Sequence, residues 1–345
     1  MKKSRIWLIV SILCIVAGFI LLLCSGVRNG NQLGWVLQRA GNAEMQEERT
    51  VEVTERFRSL RVSEFSADVQ LLPSGDKSCR VVYGESEHSR CKVSVEKGTL
   101  TVTREVDSGS GRGIVIFENE LPVKIYLPAG SYDKLEIDST SGNVSADRGF
   151  SWMEAEIRTA SGNIELEGFD AEELRLKSTS GEQTLKDSRA ESLQAESASG
   201  DMKLKQCSLG SCRLQSTSGE QTLKECVVAG ELKLGTASGD IELEETEAGS
   251  MDITGTSSEV SLTRINCAGE VKVETASGDI RLRNAKAESF TLQTSSGDVK
   301  GSVLGTMDFI VDSASGSIRT SGGVRGAAPC RVKTASGDVD LDIDG

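Results

Sequence analysis

The segment Thr236–Leu243 reads TASGDIEL, and it returns as TASGDIRL at Thr275–Leu282 and as TASGDVDL at Thr334–Leu341. A catalytic motif is normally written once, whereas a motif repeated at a fixed period marks one structural unit that is being stacked. The glycines of this motif are Gly142, Gly162, Gly181, Gly200, Gly219, Gly239, Gly278, Gly297, Gly316 and Gly337. Their spacing is 19–21 residues apart from one step of 39, which contains a degenerate copy, TSSEVSL at Thr256–Leu262, and brings the count to eleven. A longer echo, STSGEQTLK at Ser178–Lys186 and again at Ser216–Lys224, carries the same duplication.

Within a copy the apolar residues alternate. Leu232 and Leu234 precede one motif and Ile241 and Leu243 follow its glycine; Val271, Val273, Ile280 and Leu282 repeat the pattern. Period-two alternation marks a strand with one buried face. The Ser-Gly pair between the strands reads as a tight corner in which glycine takes a positive φ. A looser corner follows, as in EETEAGS at Glu244–Ser250. Strand, corner, strand, corner at constant length predicts a β-solenoid, because a fixed period keeps equivalent residues stacked about 4.8 Å apart. Antiparallel hairpins would not need identical corners. The handedness of parallel crossovers predicts a right-handed coil.

The letters fit that reading. Three residues before each motif glycine stands Ser or Thr, from Ser139 to Thr334, and immediately before it stands Ser. Stacked hydroxyls at a corner can serve its backbone groups. Leu174, Leu176, Leu232, Leu234, Ile241, Leu243, Val271, Val273, Ile280 and Leu282 are expected to point inward, with Asp240 and Asp279 outside. Gln183 and Gln221 share an inward slot and need hydrogen-bond partners there.

Composition agrees with a stacked aliphatic core: aromatics are 4% of the chain, glycines number 36 and prolines four. The net charge of −13 argues against nucleic acid, whose phosphates require clustered Lys and Arg. The N-terminus differs from all of this. Lys2, Lys3 and Arg5 precede an uncharged apolar run from Ile6 to Cys24, close to the ~20 residues that cross a bilayer. The positive flank predicts a cytoplasmic N-terminus and an external remainder. A secretory signal peptide and a lipoprotein attached through Cys24 are the rival readings, but the LLLCSG ending makes a poor cleavage site for either. The expected organisation is a cytoplasmic N-terminus (1–5), a transmembrane helix (6–24), a stalk (25–50) with a short helix near Trp35–Ala40, an irregular β cap (51–130) and the repeat solenoid (131–345).

The tandem [ST]-x-S-G-[DN]-[IV]-x-L copies, preceded by IYLP at Ile125–Pro128, resemble the DUF4097 adhesin family, which is similar to the auto-transporter adhesin head domains of bacterial surfaces. The resemblance covers roughly residues 51–345. It implies a bacterial envelope protein with a β-helical fold and brings no catalytic residues. Some relatives occur in envelope-stress systems, with an additional small helical domain that this chain lacks.

The candidate sites are few. Asn143, Asn163, Glu182, Asp201, Asp240 and their equivalents stack at one corner, a ladder suited either to Ca²⁺ or to backbone hydrogen bonding by Asp and Asn. Cys207 and Cys226 each lie seven residues after a motif glycine in adjacent coils, within reach of a disulfide. Cys79 and Cys91 flank a hairpin and form a second candidate pair; free thiols remain open for both. Cys212 and Cys330 read as small core residues, and His88 as a polar turn residue. No nucleophile elbow, zinc motif or phosphate loop is written in the sequence, and no cofactor or metal is expected. The function expected is a non-enzymatic, membrane-anchored surface protein, an adhesin or scaffold for cell-wall glycan or a surface protein. Self-association is expected through the open C-terminal edge at DVDLDIDG. An envelope-stress sensor acting through a membrane partner is the second reading and a polysaccharide-active β-helix enzyme the third.

Overall fold

Stacking of equivalent residues is the organising fact of the computed structural model, which describes residues 46–86, 89–106 and 120–344. The expected membrane helix, nearly all of the stalk with its Trp35–Ala40 helix, Cys14, Cys24 and His88 lie outside the described residues. Among the described residues no helix is long and apolar enough to cross a membrane.

The chain forms a β-solenoid of about eleven turns, its strands gathered into two fifteen-stranded sheets. Each coil lays a long strand such as Asp170–Ser178 in one sheet and a short strand such as Gln183–Lys186 in the other. Every pairing between motif-bearing coils is parallel and keeps equivalent residues in register: Leu174 faces Leu193, Leu193 faces Cys212, and Cys212 faces Leu232. The short strands form a second inward ladder, Ile164–Gln183–Met202–Gln221–Ile241–Val260. All ten leucines, isoleucines and valines expected inside are buried. Each such aliphatic side chain contributes about 1.5–3 kcal/mol on burial, so a core without bulky aromatics is stabilised coil by coil.

The two corners of each coil differ. At the Ser-Gly corner the motif glycine is not in the left-handed region, apart from Gly316. A Cβ added at Gly162, Gly181, Gly200, Gly219 or Gly239 would instead overlap the carbonyl oxygen of the equivalent residue one coil below. The expectation of positive φ is therefore corrected: glycine is required there because neighbouring backbones touch. Positive φ sits at the second corner, on Asp187, Gln206, Glu225, Glu245, Arg264 and Asn284 at 49–55°, with Gly168 at 61°. The residue that follows it always fills the corner from inside, as Phe169, Ser188, Cys207, Cys226, Thr246, Ile265 and Ala285 do.

Chain order and stacking order part company at both ends. The first coil, Ser59–Glu64 with Val69–Pro73, is wedged between the pair Thr99–Val106/Val123–Leu127 and the pair Gly130–Ser139/Val144–Ala146. The last coil, Ala328–Thr334 with Val339–Asp344, is wedged between Ser289–Gln293/Val299–Leu304 and Met307–Ser313/Ile318–Ser321. The edge expected at DVDLDIDG is thus paired on both sides, and the free edges belong to Met307–Ser313 and Ile318–Ser321. Period alone could not reveal this, since coils of equal length stack equally well in either order. At the opposite end, antiparallel strands Glu47–Val53 and Ser89–Glu96 close the two sheets.

The wedged first coil is itself a motif copy. Glu64-Phe65-Ser66-Ala67-Asp68-Val69 aligns with Ser139-Thr140-Ser141-Gly142-Asn143-Val144, and an added Cβ at Gly142 would overlap the Ala67 carbonyl. In the hydroxyl slot stands Glu64, whose carboxylate receives Arg104 Nε at 3.1 Å, while Arg104 Nη1 donates to the Gly84 carbonyl at 2.6 Å. Both side chains are buried. Burial holds the Glu64 carboxyl above its usual range, against the pull of Arg104.

Candidate functional site: the stacked corners

The Ser-Gly corners line up into a ridge with three parallel rows of side chains. The innermost row is the hydroxyl three residues before the glycine, and it serves its own corner. Ser178, Ser197, Thr236, Thr275 and Thr294 accept the motif glycine's N–H at 2.8–3.2 Å. Ser139, Thr159 and Ser216 donate to its carbonyl at 2.7–3.0 Å. The middle row is the serine before the glycine, exposed in every copy from Ser141 to Ser336. Its backbone N–H donates to the coil below, as Ser180 does to Ala160 at 3.0 Å.

The outer row is the acidic ladder. Where it holds Asp or Asn, the side-chain oxygen accepts the backbone N–H of the next coil's ladder residue. Asp68 receives Asn143, Asn143 receives Asn163, Asn163 receives Glu182, Asp201 receives Glu220, Asp240 receives Glu259 and Asp279 receives Asp298, all at 2.8–3.0 Å. Glu is one methylene longer and turns elsewhere: Glu182 and Glu220 accept the hydroxyls of Thr184 and Thr222 at 2.9 Å. Bases interleave with the acids. Lys203 reaches Glu182 at 3.0 Å, Lys300 reaches Asp298 at 2.6 Å, and Arg281 bridges Glu259 and Asp279. The Lys203 ammonium holds the Glu182 carboxyl below its ordinary range, and Lys300 does the same for Asp298. Among the described residues no three His, Cys, Asp or Glu side chains converge as metal ligands. The ladder's geometry is that of coil-to-coil hydrogen bonding, by the next coil's backbone rather than the residue's own.

The copy that lacks its glycine shows how tightly the ridge is specified. Ser258 occupies the glycine position, and Gly255 occupies the hydroxyl position. A Cβ at Gly255 would lie 2.9 Å from Ser258 Cβ and 3.1 Å from its Oγ. The two slots have exchanged contents: one side chain fills the space that Thr fills elsewhere.

The structure stacks Cys207 and Cys226 one above the other in the second-corner row, the Val227 N–H donating to the Cys207 carbonyl at 2.9 Å. Each thiol also bonds the carbonyl two residues back, Lys205 at 3.4 Å and Lys224 at 3.3 Å, as Ser188 does to Lys186 and Thr246 to Glu244. Both are free thiols, and the neighbouring Cys226 thiol together with burial holds Cys207 above the ordinary thiol range. Cys79 and Cys91, also free and buried, are not brought together. Cys79 opens the strand Cys79–Glu85 opposite Val53, whereas the Cys91 N–H meets the Glu85 side chain at that strand's other end. Burial pushes the thiols of both up to about 12. Gln183 and Gln221 find the required partners: their amides donate to the carbonyls of Glu196 at 2.8 Å and Gly235 at 2.7 Å. An open cleft of about 980 Å³ beside the cap is lined by Val53, Phe57, Lys77, Lys97, Tyr132 and Asp133. The row that sequence reasoning missed is the start of the ridge, SADVQL at Ser66–Leu71, whose signal is the motif with Ala in place of Gly.

Comparison with known proteins places the molecule. A Parabacteroides distasonis structure provisionally named an adhesin shares 12% identity, covering 86% of this chain and 97% of that one with a TM-score of 0.45. A second from that organism, provisionally named a lipid binding protein, shares 16%, covering 87% and 97% with a TM-score of 0.41. A Bacteroides fragilis structure, also provisionally named an adhesin, shares 12%, covering 87% and 97% at 0.31. These likenesses are too distant to carry function across. No curated protein matches the chain. The Toastrack DUF4097 family matches residues 57–264 and 259–344, most of the sequence and the whole repeat, and the chain belongs to that family.

Proposed function

We propose that this chain is a non-enzymatic surface protein of a bacterial envelope, held by a membrane helix at Ile6–Cys24 with its right-handed solenoid outside the cell. Its partner is a repetitive polymer, cell-wall glycan or a repetitive surface protein. The observation that supports the reading is the ridge: an exposed serine in every copy from Ser141 to Ser336, flanked by a paired acid–base row. Groups presented at a constant step of about 4.8 Å suit a partner with its own repeat, because many weak identical contacts sum through multivalency. The innermost row is committed to the fold's own backbone, which leaves the exposed serine hydroxyls and the salt-bridged rim for a partner.

Cross-linking on intact cells tests this, with captured partners identified. Wall glycan or a repetitive surface protein is the expected catch. Capture of membrane signalling proteins alone would move the reading to a sensor acting through a membrane partner. Turnover of glycan by the purified protein would contradict the non-enzymatic assignment. Protease added to wall-stripped cells is expected to digest the solenoid, and protection would reverse the orientation.

A further inference from the structure

The end of the stack formed by Met307–Ser313 and Ile318–Ser321 is unlike the rest of the molecule. The inward slot filled by Ile164, Ile241, Val260, Ile280, Val299 and Val339 is at most 1% exposed, yet Ile318, in the same slot and paired with Val339, is 49% exposed. Phe309 and Val311, stacked on Cys330 and Val332, are only partly buried. Among the described residues no strand lies beyond either Met307–Ser313 or Ile318–Ser321, although the Val324 N–H donates to the Met307 carbonyl at 2.8 Å. The other end is closed by antiparallel strands that break the parallel stack. Beyond the Met307 carbonyl, this end therefore presents a coil's apolar interior between two strand edges with no strand outside them, a surface that attracts another strand edge.

We infer that this face binds the same face of a second copy, forming an end-to-end two-fold dimer. The shape that fits the cross-section of a coil is another coil. The charges select the arrangement. Asp312, on Met307–Ser313, and Arg319, on Ile318–Ser321, lie on either side of the Gly316 corner, and neither has an ion-pair partner within the described chain. A two-fold axis along the strand direction exchanges the two sheets and keeps position along the strand. It sets Met307–Ser313 antiparallel to the partner copy's Ile318–Ser321, Asp312 facing Arg319 in both directions, and closes Ile318 against Val311 and Phe309. An isologous contact of this kind satisfies both copies at once and closes. An axis normal to the sheets would pair Met307–Ser313 with itself and oppose Asp308 to Asp312, a like-charge contact. The wedging of Ala328–Thr334 and Val339–Asp344 behind this coil leaves the interface to the coil with the complementary pair, rather than to Asp338, Asp340, Asp342 and Asp344.

The test is sedimentation equilibrium of the full chain in detergent micelles, with four proteins compared. The wild type is expected to be dimeric at micromolar concentration. Asp312→Arg and Arg319→Asp should each weaken the dimer at least tenfold, by opposing like charges. The double variant Asp312→Arg/Arg319→Asp should recover to within about threefold of the wild type, an outcome that neither misfolding nor association of the membrane segments produces. A wild type that stays monomeric to 100-fold higher concentration would overturn the inference. So would a dimer indifferent to both single reversals, or reversals that are not rescued in combination.

Discussion

Each coil turns twice, and the two corners solve the problem of turning in opposite ways. At the Ser-Gly corner the backbone keeps an ordinary conformation, but successive coils approach so closely that a carbonyl oxygen fills the place of a Cβ. At the second corner the spacing is relaxed, the backbone adopts φ near +50°, and the chain puts Asp, Gln, Glu, Arg or Asn there. The motif glycines are thus spent on crowding, where nothing else fits, whereas the left-handed second corner takes glycine at Gly168 and elsewhere tolerates other residues at about 1–2 kcal/mol each. The lesson is that a repeated glycine in a stacked fold reports the distance to the neighbouring coil.

Four predictions probe that difference. The largest effect is expected at the start of the crowded ridge, where Glu64 and Arg104 replace the hydroxyl row. Glu64→Gln leaves a buried guanidinium without its counter-charge and should cost about 3–5 kcal/mol in urea unfolding. Because burial raises the folded-state pKa of Glu64, the folded form binds this proton more tightly than the unfolded chain. The group's contribution therefore favours folding below its unfolded pKa and declines as pH rises through the folded one; Glu64→Gln should remove that component of the pH dependence. Next comes the exchanged copy. Gly255→Thr should cost about 1–3 kcal/mol through overlap with Ser258, whereas Gly255→Thr/Ser258→Gly should return to wild-type stability or better. A double-mutant cycle showing no coupling would mean that the two slots are independent.

Smaller effects are expected beside and beyond the ridge. Gln221 lies in an aliphatic ladder between Met202 and Ile241 with its carbonyl oxygen unpartnered among the described residues. Gln221→Leu should raise stability by about 1 kcal/mol, the amide's desolvation penalty outweighing its bond to Gly235; a loss would show that the Gly235 carbonyl needs its donor. At the second corner, Glu225→Gly relieves left-handed strain but adds unfolded-state freedom, so the unfolding free energy should change by only about a few tenths of a kcal/mol.

The contrast also explains what the sequence made legible. Alternation and constant spacing revealed the solenoid, its inward ladders and the Ser/Thr row, because stacking writes the same chemistry once per coil. Gln183 and Gln221 were visible as exceptions for the same reason. The wedged coils at either end were hidden, because Ala67 replaces the expected glycine and because register between equal coils does not encode chain order. The acidic row was legible as a row, but not its partner, the next coil's backbone N–H, which no local pattern specifies. The placing of Cys79 and Cys91 was not legible, because flanking a turn says nothing about which sheet each strand enters: Cys79–Glu85 and Ser89–Glu96 join different sheets.

The claim that crowding places the motif glycines is tested most directly by comparing the unfolding free energies of Gly219→Ala and Gly219→Asn. Asn accepts left-handed backbone far better than Ala does. If the Gly200 carbonyl is the obstacle, both variants are destabilised, Ala by about 3 kcal/mol or more and the bulkier Asn by at least as much. If Asn proves closer to wild type than Ala, the corner requires positive φ after all, and the account of the ridge is wrong.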